Sequence, residues 1–205
     1  SLLFETVVEK RVRRGRAAGP EAGLDRETRA LGACDVGLAD GSSAVVFDVL
    51  DDCTRQLVAC QAASSETAQA AITAITTAVH AYGAPAIVLS DNGAAFTHRL
   101  INPAAAPSRF TRAVTTWGTR LIHSSPYHPQ TCGKVERHHQ TLKKWLRGHP
   151  RPATLPALQH LLDTYRDYYN HHRNHSALPH HSTPHHAWST AATLGGPTHP
   201  PAQTD

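Results

Sequence analysis

The chain has 205 residues, is 40% hydrophobic and carries a formal net charge of +4 with its 16 histidines neutral. That is enough apolar material for one core of ordinary domain size. No apolar run is long enough to span a bilayer, the N-terminus lacks a signal-peptide pattern, and Cys34, Cys53, Cys60 and Cys132 form no CxxC pair and no metal-ligand spacing, so a membrane span, a disulfide scaffold and a zinc ribbon are set aside in favour of a reduced, cytosolic chain.

Charge is uneven along the sequence. Residues 1–91 hold 8 Lys/Arg against 12 Asp/Glu, and residues 92–205 hold 12 against 4. A basic second half suits a polyanionic partner, or a solvated surface.

Residues 1–30 read as a linker or the remnant of an upstream domain, with a basic run from Lys10 to Arg16. A sheet pattern follows. Ala33–Val36 suits a short strand, Asp40-Gly41 a hairpin turn, Ser43–Leu50 a second strand, Asp51–Thr54 another turn and Gln56–Ala62 a third strand. Ser65 and Glu66 open a helix whose apolar face is Ala68, Ala71, Ile72, Ile75, Val79 and Tyr82, and Gly83 closes it. Ala86–Leu89 is a short, wholly apolar strand of the buried type. The order β-β-β-α-β implies a mixed sheet with its fourth strand reached by a helical crossover.

Ser90-Asp91-Asn92-Gly93 follows that strand. Ligands of open α/β sheets bind beyond the carboxyl ends of parallel strands, which makes Asp91 a candidate. The same residues also suit a plain turn. Phe96 is expected beneath this loop, residues 98–112 read as irregular, and Trp117–His123 as a last short strand. Tyr127–Gly133 reads as a polar loop. An amphipathic helix follows, with Val135, Leu142, Trp145 and Leu146 on one stripe and Glu136, Gln140, Lys143 and Arg147 on another. Glu136 is the only Glu after Glu66. In a first helical turn it would oppose the macrodipole, a stabilisation of about 0.3–1 kcal/mol. Leu155–Tyr169 is a further amphipathic helix with Leu158, Leu161, Leu162 and Tyr165 inward, and Tyr168, Tyr169 and Trp188 are expected to stack on the body. Eight histidines lie between 171 and 199, in no convincing ligand spacing, and Gly195–Asp205 reads as disordered.

VLSDNGAAF and PYHPQTCGKVERHHQTLKKWL resemble the second and third blocks of the integrase-type catalytic core shared by retroviral integrases and bacterial insertion-sequence transposases. VLDDCTRQLVA (Val49–Ala59) and NHHRNHSAL…TPHHAW (Asn170–Trp188) are similar to the bacterial group, so the resemblance runs from about Asp40 to Trp188. It implies an α/β, ribonuclease-H-like fold: a five-stranded mixed sheet, its first three strands antiparallel, flanked by helices. Residues 31–150 would be the catalytic core, 151–190 a C-terminal helical extension and 191–205 a tail. A bacterial, cytoplasmic setting is implied as well.

The resemblance also implies three carboxylates holding two Mg²⁺ (or Mn²⁺) ions. Two such cations activate an attacking oxygen and stabilise a leaving one, without a covalent protein intermediate. Water would be the nucleophile for DNA cleavage and a DNA 3′-hydroxyl for strand transfer. Asp91 matches the second acid and Glu136 the third. Lys143, seven residues after the Glu, matches a position that contacts DNA near the cleaved end, and Gln140 occupies the position four residues after it. Lys134, Arg137, Gln140, Lys143, Lys144 and Arg147 are the candidate DNA contacts, with transposon ends and target DNA as partners and a homo-oligomer to join two ends. The first acid departs from the family pattern, in which it lies on the first strand between a Trp and a Thr. Either Asp35 supplies it through a short deletion, or it is missing, because an ungapped alignment through Leu38–Gly41 puts Gly32 in its place. Asp48, Asp51 and Asp52 are weaker candidates, the last two as turn and structural support. Two functions therefore stand side by side: a metal-dependent transposase, and a decayed, non-catalytic core that keeps DNA binding or self-association.

Overall fold

In the computed structural model, residues 28–90, 106–123 and 129–191 are described, without the side chains of 129–132. The strands are β1 (Thr28–Gly37), β2 (Ser43–Asp51), β3 (Leu57–Ala63), β4 (Ile87–Ser90) and β5 (Arg120–His123). The α-helices are α1 (Ala68–Tyr82), α2 (Arg109–Thr116), α3 (Pro129–Leu146), α4 (Leu155–Asp167) and α5 (Pro184–Thr190). One five-stranded sheet runs in the order β3-β2-β1-β4-β5. β1 pairs antiparallel with β2, and β2 with β3. β4 pairs parallel with both β1 and β5. This is the expected mixed sheet with an antiparallel meander.

Turn chemistry sets the meander. Gly41 adopts φ +87°, which suits glycine, and Asp40 Oδ1 accepts from the Ser42 amide at 2.9 Å. At the next turn, Asp51 Oδ1 accepts from the Thr54 amide and hydroxyl, both at 2.7 Å. Thr67, rather than Ser65, caps α1 by accepting from the Ala70 amide. Arg29 ties β1 to the far end of that helix, donating to the carbonyls of Gly83 at 2.7 Å and Tyr82 at 3.0 Å.

The sheet is covered on both faces. Leu31, Val45, Phe47, Val49 and Val88 pack under Ala71, Ala74 and Ile75 of α1 and Phe110 and Val114 of α2. On the other face, Cys34, Val36, Val46, Leu50 and Cys60 pack against Leu142 of α3 and Leu158, Leu162 and Tyr165 of α4. Val135 of α3 closes on Ala30 and Leu89.

Several sequence expectations shift. β1 begins at Thr28, earlier than Ala33, because Arg29–Gly32 are buried and bonded to β2 and β4. Arg109–Thr116 is helical under a Ser108 cap where an irregular stretch was expected to run to residue 112. Tyr127–Gly133 is not a loop throughout, since α3 already begins at Pro129, a residue whose fixed φ suits a first helical turn. Glu136 is therefore the eighth residue of α3, beyond the reach of the N-terminal dipole. Tyr169 is buried and Trp188 meets Tyr82 edge-to-face at 5.3 Å, whereas Tyr168 is exposed and stacks over Trp145. Asp91, Phe96, residues 1–27 and residues 192–205 lie outside the described residues.

Candidate functional site

Helix α3 presents two faces of opposite chemistry. Val135, His138 and Leu142 are buried against the sheet, and Trp145 and Leu146 are half-buried. Glu136, Arg137, Gln140, Lys143, Lys144 and Arg147 are exposed. Glu136, Gln140, Lys143 and Arg147 follow one another at helical spacing, so one acid is followed along the helix by an amide and two cations. Lys134 differs from the other candidate DNA contacts. Its ammonium lies 2.6 Å from Asp52 Oδ2 and also donates to the Asp52 carbonyl, locking α3 to the β2–β3 turn.

The candidate acids separate. Asp35 is exposed on β1 and pairs with Val45, a residue of the core under α1 and α2. Strand alternation therefore puts its side chain on the sheet face opposite to α3. The structure does not bring Asp35 to Glu136. Among the β1 positions that face α3 is Gly32, where an added Cβ would stand 2.3 Å from Val135 Cγ1 and 3.1 Å from His139 Cε1. Gly32 also follows Leu31, the residue paired with Ser90 at the end of β4. Asp91 is next after Ser90 in sequence and lies outside the described residues. As holders of a two-ion Mg²⁺ centre, the described residues supply one acid on α3, Glu136, and a glycine where β1 passes beneath it.

A second group of polar side chains lies under α3. Asp48 pairs across the sheet with Gly32 on one side and Cys60 on the other, so it faces the helix. It is fully buried. His139 Nε2 lies 3.1 Å and His138 Nε2 3.4 Å from Asp48 Oδ2. Neither approach has hydrogen-bond alignment, so the two histidines meet Asp48 as close contacts only. Burial works against the Asp48 carboxylate, and the adjoining His138 and His139 more than offset it, holding its pKa well below the ordinary carboxylate value. Burial, with Asp48 nearby, pushes the Cys34 thiol up to about 12. Sequence reasoning weighed Asp48 only as a first acid and passed over both histidines. The available signal was an Asp inside the apolar run AVVFDVL and a His-His pair interrupting an apolar helical stripe.

Two family models described as integrase core domain match residues 33–129 and 117–184. The chain carries an integrase core. Solved structures agree with this assignment at the level of the fold. A chain of the simian T-cell lymphotropic virus intasome, solved in complex with PP2A regulatory subunit B56 gamma, superposes with a TM-score of 0.67 at 20% identity over 90% of this chain. This chain spans 62% of that one. The HTLV-2 integrase catalytic core in complex with magnesium, in its dimeric form, gives a TM-score of 0.57 at 18% identity, over 78% of this integrase core and 94% of that chain. The catalytic core domain of BIV integrase gives 0.55 at 20%, over 80% and 94%. The ribonuclease-H-like fold expected from the sequence is the fold observed. Among the described residues of the integrase core, no helix is long and apolar enough to cross a membrane.

Proposed function

We propose that this integrase core binds DNA as part of a transposition or integration apparatus, and that its own metal centre is incomplete. Asp91 and Glu136 are the acids that would hold Mg²⁺ or Mn²⁺, and the ions would supply Lewis-acid stabilisation to a phosphodiester. Gly32 carries the reading: it occupies the place where β1 runs beneath the Glu136 helix, and Asp35 points from the other face of the sheet. DNA contact rests on the exposed Gln140, Lys143, Lys144 and Arg147, with Arg137 beside them. Lys134 contributes through the placement of α3 and not as a free cation. Transposon ends and target DNA remain the proposed substrates, and a homo-oligomer the proposed assembly.

A second reading is a competent strand transferase in which Asp35 completes the set. It is favoured by the Glu136–Gln140–Lys143 stripe, an acid followed by DNA-contacting side chains on one open face. The two readings separate in a nicking and strand-transfer assay with Mg²⁺ or Mn²⁺, run beside DNA-binding measurements. The incomplete centre predicts salt-sensitive DNA binding with cleavage at background, unchanged in Asp35→Asn and Glu136→Gln. Metal-dependent cleavage lost in Asp35→Asn, Asp91→Asn and Glu136→Gln, with binding retained, would establish the second reading.

A further inference from the structure

We propose that Cys34, Asp48 and His139 form a binding site for a single borderline-soft divalent cation, Zn²⁺ in class, between the sheet and α3. This goes beyond the integrase-core reading and does not use its acids. One donor atom from each residue, the Cys34 sulfur, an Asp48 oxygen and a His139 ring nitrogen, lies within 4.8 Å of the other two. Tetrahedral zinc bonds place neighbouring donors about 3.3–3.6 Å apart, so a small inward rotation of the side chains closes the set. The donors are sulfur, nitrogen and oxygen. Mg²⁺ prefers oxygen alone, whereas Zn²⁺ and Co²⁺ accept this mixture.

An independent observation points to a missing ligand. Asp48 is fully buried and neither of its oxygens has an aligned hydrogen bond, the nearest groups being His139 Nε2 at 3.1 Å and His138 Nε2 at 3.4 Å, and His139 Nε2 is itself buried without an aligned hydrogen bond. A buried carboxylate in that condition is costly unless a cation or aligned donors meet it. His138 Nε2 lies 3.4 Å from the same Asp48 oxygen as His139, with its own ring held edge-on against Tyr169 at 4.9 Å. The three ligands come from β1, β2 and α3, so the ion would fasten the helix that carries Glu136 to the middle of the sheet. On binding, the Cys34 thiol gives its proton to solvent and the thiolate becomes the ligand.

The test is a Co²⁺ titration of the full chain after treatment with a chelator, followed by optical absorption. A thiolate-to-cobalt charge-transfer band that saturates at one ion per chain is expected. The C-terminal histidines can bind cobalt as well, but they give no thiolate band. Cys34→Ser abolishes the band. Cys60→Ser and Glu136→Gln retain it, the latter separating this site from the integrase acids. Asp48→Asn weakens it, and circular dichroism establishes that each variant folds. Zn²⁺ in excess raises the unfolding temperature of the wild type and not of Cys34→Ser. A titration without a thiolate band, or a band that survives Cys34→Ser, overturns the proposal.

Discussion

Gly32 of β1 lies so close under Val135 of α3 that a single added carbon would stand 2.3 Å from the valine Cγ1. The helix is seated on bare backbone at this point. Gly32→Ala should therefore destabilise the fold by about 1–3 kcal/mol, the usual range for overpacking. Val135→Ala made in the same chain should recover part of that loss. Urea unfolding of the two single variants and the double variant measures the coupling. Additive effects would show that helix and strand do not meet as described. Gly32→Asp adds two oxygens to the same collision, so placing an acid here needs the Val135 truncation as well.

Lys134 and Lys143 lie on one helix but should respond differently to DNA and salt. Lys134 is already neutralised by Asp52 at 2.6 Å, while Lys143 is exposed. Each phosphate contact contributes about −0.9 to the slope of log affinity against log salt. Lys143→Ala should lower the magnitude of the slope by about 1, and Lys134→Ala should leave it almost unchanged. Lys134→Ala should instead lower stability by up to about 1 kcal/mol, since the pair is only partly shielded from water. Fluorescence anisotropy at several salt concentrations, with urea unfolding alongside, separates the two roles.

His175 should make stability depend on pH. Burial, with Arg173 nearby, lowers its pKa from 6.5 to about 4. Between those values the unfolded chain binds a proton that the folded chain does not. Stability therefore rises with pH through this window and is lost as pH falls from 6.5 toward 4. His175→Gln should flatten that part of the profile relative to the wild type. Unfolding temperatures taken from pH 4 to 7 provide the comparison, and an unchanged profile would count against the assignment.

Asn170 sits in the π-helical turn Tyr168–His172, and its side-chain amide bonds the Leu57 backbone at both atoms, 2.9 Å to the amide and 3.0 Å to the carbonyl. Asn170→Ala leaves both buried groups without a partner, at a cost of roughly 2–4 kcal/mol. Asn170→Asp keeps the acceptor but loses the donor, so its loss should also be measurable. Denaturant midpoints of the two variants test this.

The meander, the helical crossover and the amphipathic third helix were legible in the sequence because each depends on local chemistry: turn residues, and apolar residues at periods of two and 3.6. The exposed polar stripe on α3 was legible for the same reason. Residue type alone could not decide between Asp35 and Gly32 at the first-acid position, because which face of a strand a residue takes depends on register against β2. That register puts Gly32 under α3 and Asp35 away from it. The Cys34–Asp48–His139 group was hidden for a related reason. Its members are separated along the chain and meet only when strand pairing puts Asp48 beneath α3.

β3 is an outermost strand of the sheet, with a row of backbone groups turned away from β2. Side-chain amides occupy that row: Asn170 takes Leu57 at one end, while Gln159 accepts from the Ala62 amide at 2.8 Å and donates to the Cys60 carbonyl at 3.0 Å at the other. Two amides from the C-terminal helices thus imitate a neighbouring strand. An incoming chain finds these groups already bonded, which guards the margin against ribbon-like stacking. A second copy of this chain could lengthen the sheet at β3 only by first displacing Asn170 and Gln159.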